Sequence, residues 1–351
     1  MVSLSTDPAI KSQLAEEGLK YFSDQNAGYF RHKVENKFIY YDLRGSKIST
    51  PKILKRIGGL AIPPAWRNVW VSPLENSHLQ ATGVDDRDRK QYIYHKSWTK
   101  ICQQNKFSKM VDFGLSLPNL RSKIKYDLSV PKLDKRKILA TVVWLLENTF
   151  IRVGNDEYSK ENHSFGLTTL RNKHANVDGS KIIFRFIGKS GVAHLIKVGH
   201  PTIAKTIRRC IELPGYELFQ YIEEDGSKHT VTSEDVNHFL KDVTKEDFTA
   251  KDFRTWGASD ICAVHFYEIG LPEDKRGLLK NIHAAVKKVS THLNNTAKIC
   301  RNYYIHPTVI ETYQTNILVP HFSKFKASKY TKSGLSWHEY ALIRLLERHA
   351  V

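Results

Sequence analysis

The hydrophobic pattern of this chain changes period once, and that change limits the folds open to it. Up to about residue 98 the apolar residues come in short alternating runs. YFRHKV and FIYYDLRG read as strands 29–34 and 38–43 around a turn at 35–37. NVWVSP, SHLQATG and KQYIYHKSW read as a meander of three more, with turns at 73–77 and in GVDDRDR. From about residue 134 the spacing is helical, and KRKILATVVWLLENTFI sets Ile138, Val142, Leu145 and Thr149 on one face. A β interlude follows. LTTLRNKHANV and SKIIFRFIGK read as strands around a turn at Asp178 and Gly179, and GKSG turns into VAHLIKV. Helices are expected at about 202–212, 215–223, 233–242, 251–268, 274–293 and 296–305. Ser336 and Glu339 suggest a capping box for a last helix, WHEYALIRLLERH. The fold class expected is α+β: a small β-rich N-terminal domain, 1–100, and a larger, mostly α-helical domain, 101–351, carrying a small three-stranded sheet. ICQQNKFSKM reads as a polar, basic link between them.

With 41% of its 351 residues hydrophobic, the chain has material for a core in about two domains. It lacks a run of about 18 apolar residues, so no membrane-spanning helix is expected. Its first residues, MVSLSTDPAIKSQLAEEG, are acidic and polar, unlike a signal peptide. Cys102, Cys210, Cys262 and Cys300 are scattered without a CxxC, which argues against disulfides and for a reducing compartment. The charge is more telling. Lysine and arginine number 54 against 36 acids, a net charge of +18, spread along the whole chain. Folding does not require such an excess, whereas neutralising several phosphates at once does. A merely solubilising surface is the alternative.

Motifs exclude several kinds of chemistry. GxGxxG and GxxxxGK[ST] are absent, so nucleotide use has no support. The sixteen histidines form no HExxH pair and no Cys/His cluster, so no metal site is expected. GxSxG is absent too. Tyrosine, arginine and lysine remain, and they suit attack on a phosphodiester. Two guanidiniums stabilise the charge that grows on the non-bridging oxygens without a metal. Nearby cations favour the phenolate of an attacking tyrosine. A lysine in a hairpin turn protonates the leaving 5′-oxygen.

The motifs FIRVGNDEY (150–158), ENHSFGLTTLRNKH (161–174), FRFIGK (184–189), KDFRTWG (251–257) and NNTAKICRNYYIHP (294–307) occur in one order. In that order they resemble the type IB DNA topoisomerases of the short poxviral and bacterial kind. AIPPAWRNVWVSPLENSHLQATGVDDRDRKQYIYHKSW (61–98) resembles their β domain, more its bacterial than its poxviral form. The resemblance covers nearly all of residues 20–320. It implies that Arg152 and Arg254 are the two catalytic arginines, Lys189 the general acid and Tyr304 the nucleophile. Asn295 stands where many members have a histidine donating to a non-bridging oxygen, and an amide still offers two donors there. The neighbouring Asn294 and Asn295 are also suited to begin a helix. Arg89, Lys90, Gln91, Tyr92, Tyr94, Tyr158 and Lys251 match DNA-contacting positions. On a strand Tyr92 and Tyr94 share one face, and Gln91, Ile93 and His95 the other. On a helix Tyr303 sits above Ile299 as a packing ring and Tyr304 faces the chemistry, while His306 is a bystander. Asp252 and Asp260 are alternative partners for Arg254.

The resemblance further implies a monomer clamped on double-stranded DNA, with no cofactor, metal or membrane. It implies relaxation of supercoils through a 3′-phosphotyrosyl link. The compartment is cytoplasmic in a bacterium, or an infected-cell compartment or virion for a virus. A tyrosine recombinase is the rival enzyme, but it commonly has a histidine where Lys251 stands, three residues before Arg254. A non-enzymatic DNA-binding descendant is the rival of another class, and the complete Arg–Lys–Arg–Tyr set argues against it.

Overall fold

Five strands form where the alternation places them: β1 (Tyr29–Val34), β2 (Lys37–Tyr41), β3 (Arg67–Val71), β4 (Leu79–Val84) and β5 (Lys90–Tyr94). They make one antiparallel sheet in the order β2-β1-β3-β4-β5. The computed structural model describes residues 8–35, 37–156, 159, 163–328 and 334–349. The sheet belongs to a first compact unit, Met1–Phe107, and the rest forms a second, Ser108–Val351. In the first unit Pro51 opens helix α2 (Pro51–Gly59), its fixed φ suiting a first turn. Ile57 of that helix packs on Val69, Val71 and Ala81 of the sheet. Leu14 of helix α1 (Pro8–Glu16), Leu19 just beyond it, and Trp98 and Ile101 of helix α3 (Lys96–Ser108) form one cluster. The stretch expected to link two domains is thus helical: it is most of α3 and the first residue of α4 (Met110–Ser129). Polar residues interrupt the apolar period of α3, and Pro118 lies inside α4, which hid both helices from a periodicity reading.

The second unit is built around α8 (Ala250–Ile269). From Phe253 to Ser259 every residue of α8 is buried, as befits a helix surrounded by others. Against it lie α4, α5 (Lys135–Thr149), α9 (Lys275–Leu293), α11 (Pro307–Gln314), α12 (Leu318–Ser328) and α13 (Trp337–His349). The second unit also holds α6 (Pro201–Glu212), α7 (Ser233–Thr244) and the short α10 (Ala297–Tyr303). Ser336 and Glu339 do form the expected box, with Ser336 N–H and Oγ donating to Glu339 and Glu339 N–H to Ser336 Oγ. Ala341, Leu342, Ile343, Leu345 and Leu346 of α13 are fully buried, so the last helix is part of the core.

The small sheet has the order β6-β7-β8, from Ala175–Asp178, Lys181–Ile187 and Ala193–Gly199. Only the end of LTTLRNKHANV is strand; its start forms two single 3-10 turns, Leu167–Thr169 and Asn172–His174. The helix expected at 215–223 is not formed. Pro214 and Gly215, the latter at φ +131°, turn the chain. A short strand β9 (Gln220–Ile222) then pairs with β10 (Lys228–Thr230).

Candidate active site

The site begins where α5 ends. Asp134 caps the start of α5 by accepting from Lys137 N–H, and Phe150 ends it in the left-handed region at φ +54°. A bulky residue rarely adopts that conformation, and it persists only where its surroundings hold it. Gly257 on α8 makes room for the ring, since a Cβ there would lie 2.1 Å from Phe150 Cε1. The turn buries Ile151 and frees the Phe150 carbonyl, which accepts from Arg254 Nη1. Arg254 Nη2 donates to the Leu293 carbonyl at 3.0 Å, at the end of α9. Two helix ends therefore fix one guanidinium that is only 4% exposed.

Neither aspartate competes for Arg254. Asp252 closes the capping box of α8 with Thr249, and Asp260 lies 2.7 Å from His338. The Arg254 guanidinium carbon instead sits 5.1 Å from the centroid of the Tyr304 ring. Burial, and then the charge of Arg152, draw the Arg254 pKa below the ordinary arginine value. It remains a cation, because that value starts so high.

Arg152 follows Ile151 in a loop pinned against the turn at 166–169. Its carbonyl accepts from Leu167 N–H at 2.8 Å, and the Val153 carbonyl from Thr168 N–H. A Cβ on Gly166 would lie 2.6 Å from the Arg152 oxygen, so the motifs IRVG and FGLTT are one packed unit. The charge of Arg152 acts on Arg254, on His194 of β8 and on buried Cys300 of α10.

α10 carries the tyrosine. Thr296 caps it by accepting from Ile299 N–H, while Asn294 ends α9 in the left-handed conformation, φ +46°. Neither asparagine begins the helix, contrary to one of the two sequence expectations. Asn295 Oδ1 accepts from Thr296 N–H at 3.0 Å, and the amide nitrogen of Asn294 lies 3.2 Å from His194 Nδ1. Tyr304 is half-buried at the end of α10. Tyr303 is 41% exposed and so is not the packing ring that helix geometry suggested. The helix stops at Tyr303, and Tyr304 leaves helical geometry at φ −124°. His306 caps α11, accepting from Thr308 N–H, and its own N–H donates to Ser259 Oγ at 2.9 Å. Lys189 stands exposed at the tip of the β7–β8 hairpin, where Ser190 and Gly191 have φ of +66° and +76°. A cavity of about 780 Å³ borders Phe150 and Gly257 but is lined by none of Tyr304, Arg152, Lys189 or Asn295. A polymer backbone needs an open surface rather than an enclosed pocket.

A family model described as the catalytic core of eukaryotic DNA topoisomerase I matches residues 95–330. The DNA topoisomerase 1B of Acanthamoeba polyphaga mimivirus is 33% identical over 300 residues, 82% of this chain and 88% of the relative. The chain belongs to the type IB DNA topoisomerase family. A second model, described as the N-terminal domain of bacterial DNA topoisomerase IB, matches residues 37–85. The DNA topoisomerase 1B of Vaccinia virus (strain Copenhagen) is 25% identical over 257 residues, covering 70% of this chain and 75% of the relative. A DNA topoisomerase 1 of Mycosarcoma maydis is 26% identical over 221 residues, 56% of this chain and 22% of that protein. The resemblance carried by the five motifs is thus borne out, and the chain is a type IB topoisomerase enzyme.

In the first unit of this topoisomerase the expected contact residues lie around the β4–β5 hairpin. Tyr92 and Tyr94 are stacked on its exposed face, ring centroids 6.0 Å apart, with Lys90 on the same face. Lys90 pairs with Asp24 at 2.5 Å. Arg89 and Gln91 both donate to Asp85 Oδ2, Arg89 through Nε and Nη2, which braces the turn. The Arg89 hydrogen bond holds the Asp85 carboxyl far below its usual range. Lys251 is exposed in the first turn of α8. Tyr158 lies outside the described residues. Sequence reasoning passed over Phe150 and His194. Nothing marks a left-handed phenylalanine in a sequence, and VAHLIKV reads as an ordinary strand.

Proposed function

We propose that this enzyme relaxes supercoiled double-stranded DNA by transient cleavage of one strand, without ATP or metal. The reading rests on one observation. The Arg254 guanidinium lies against the Tyr304 ring, and Arg152 and Tyr304 lead the groups whose charge acts on Arg254. Two guanidinium charges beside a phenol make a place for a phosphate.

Tyr304 Oη attacks the phosphorus, its proton passing to water. The Oη–P bond forms as the P–O5′ bond breaks, leaving a 3′-phosphotyrosyl link. Arg152, Arg254 and the Asn295 amide stabilise the charge on the non-bridging oxygens. Lys189 gives its proton to the departing 5′-oxygen. The free end swivels under torsion stored in the duplex. The 5′-hydroxyl then attacks the phosphorus and returns its proton to Lys189; the O5′–P bond forms as the Oη–P bond breaks, and Tyr304 takes a proton back from water, so no external energy is consumed. In this reading the residues 1–100 clamp the duplex through Arg89, Lys90, Gln91, Tyr92 and Tyr94, and the residues from 101 carry the chemistry. Tyr158 and Lys251 contact DNA near the site, and the enzyme works as a monomer. It acts in the cytoplasm of a bacterium, or in an infected cell or virion.

The test is Tyr304→Phe, which removes one oxygen. The wild-type protein should relax plasmid in EDTA without ATP, and the variant should neither relax it nor form a covalent adduct. Any adduct with the variant refutes the assignment of Tyr304.

A further inference from the structure

His194 touches more of the proposed machinery than any reading of VAHLIKV foretold. Across the hairpin it pairs with Phe186, and the two rings stack at 4.7 Å and 7°. Its Nε2 faces Gly188, the residue before Lys189, so closely that a Cβ there would lie 2.5 Å away. Its Nδ1 meets the Asn294 amide nitrogen at 3.2 Å, in the turn that leads into the tyrosine helix. The imidazole therefore joins the base of the Lys189 hairpin to the segment carrying Asn295 and Tyr304.

The ring is only 8% exposed. Its pKa is lowered by burial and then by Arg152 and Arg254, so the neutral form is held. With Asn294 donating, as the amide is assigned, Nδ1 accepts and the ring proton sits on Nε2. Nε2 is buried and has no hydrogen-bond partner among the described residues. A buried donor without a partner costs stability, and an apolar side chain at this place would avoid that cost. Direct contact with a phosphate is blocked, because the hairpin backbone covers Nε2.

We propose that His194 is a positioning residue that sets the Lys189 hairpin against the turn before the tyrosine helix, and so places the general acid at the leaving oxygen. The inference rests on the reading of Lys189 as that acid. A misplacement of about 1 Å in such a group costs up to about a hundredfold in rate. A merely structural role would slow every substrate alike, whereas a role exercised through Lys189 matters only when the leaving group needs a proton.

The experiment compares single-turnover cleavage of duplexes with a mapped cleavage site, carrying a normal 5′-oxygen or a bridging 5′-sulfur, which leaves as a thiolate without protonation. Lys189→Ala should be slow on oxygen and restored on sulfur. His194→Ala should be slowed at least about tenfold on oxygen and restored on sulfur. Its combination with Lys189→Ala should be no slower on oxygen than Lys189→Ala alone. Gly188→Ala, whose extended backbone accepts alanine, pushes on His194 from the hairpin side and should show the same signature. It serves as well if His194→Ala folds poorly. If Lys189→Ala is restored by sulfur but the His194 and Gly188 variants are slowed alike on both substrates, or not at all, the proposal for His194 fails alone. If Lys189→Ala is not restored, the reading of Lys189 fails and takes this inference with it.

Discussion

At the residue scale the site depends on how one arginine is held. Arg254 spends Nη1 and Nη2 on the carbonyls of Phe150 and Leu293, and lays its guanidinium against Tyr304. Lysine has a single nitrogen and cannot span both carbonyls while facing the ring. Arg254→Lys should therefore lower single-turnover cleavage by about a hundred- to a thousandfold. It should also lower the melting temperature, because at least one buried carbonyl loses its donor. A variant with the wild-type cleavage rate would show that charge alone suffices at this position. Residue types were legible in the motifs: Arg152, Lys189, Arg254 and Tyr304 are each where the family order puts them. Their partners were not legible. The aspartates near Arg254 in sequence turned out to cap α8 and to face His338, because one belongs to a helix end and the other to a packed face.

At the element scale the last helix is latched rather than loosely appended. Arg121 of α4 donates through Nε to Glu147 of α5, and through Nη1 and Nη2 to Glu339 of α13. The two carboxyls shift in opposite directions. Burial pushes Glu147 up against the pull of Arg121. At Glu339 burial also pushes up, but the Arg121 hydrogen bonds and charge outweigh it, and the net shift is down. A lowered carboxylate contributes stability that is present above the unfolded range, about 4.3 for glutamate, and is lost as pH falls through the folded value. Arg121→Met should destabilise the protein by about 3 kcal/mol at neutral pH, by leaving two buried carboxylates without a cation. The deficit should shrink as the pH is lowered below the carboxylate range. Thermal melts of both proteins across pH check this, and a deficit independent of pH would remove Glu339 from the latch. The capping box of α13 was readable because a cap is local. α3 and α4 were missed because polar residues and an internal proline break the apolar period, and only packing pays that difference.

At the scale of the whole molecule the charge of +18 makes a prediction about salt. Binding of DNA by the Tyr304→Phe variant should weaken linearly in log affinity against log salt, with a slope of about −0.9 per phosphate contacted. Lys251 is exposed on α8, and its replacement by alanine should make that slope shallower by about one unit. An unchanged slope would take Lys251 off the backbone. Sequence by itself determined the fold class, the order of the motifs, the family and the polyanionic partner, because period, charge and residue type are properties of the chain. Tertiary structure alone decided how those groups meet. It anchored Arg254 on the ends of α5 and α9, laid it against the Tyr304 ring, and put His194 between the lysine hairpin and the turn before the helix that carries Tyr304. Each of these joins residues from about 40 to about 100 positions apart, and such contacts follow from how helices and strands pack, not from any local pattern.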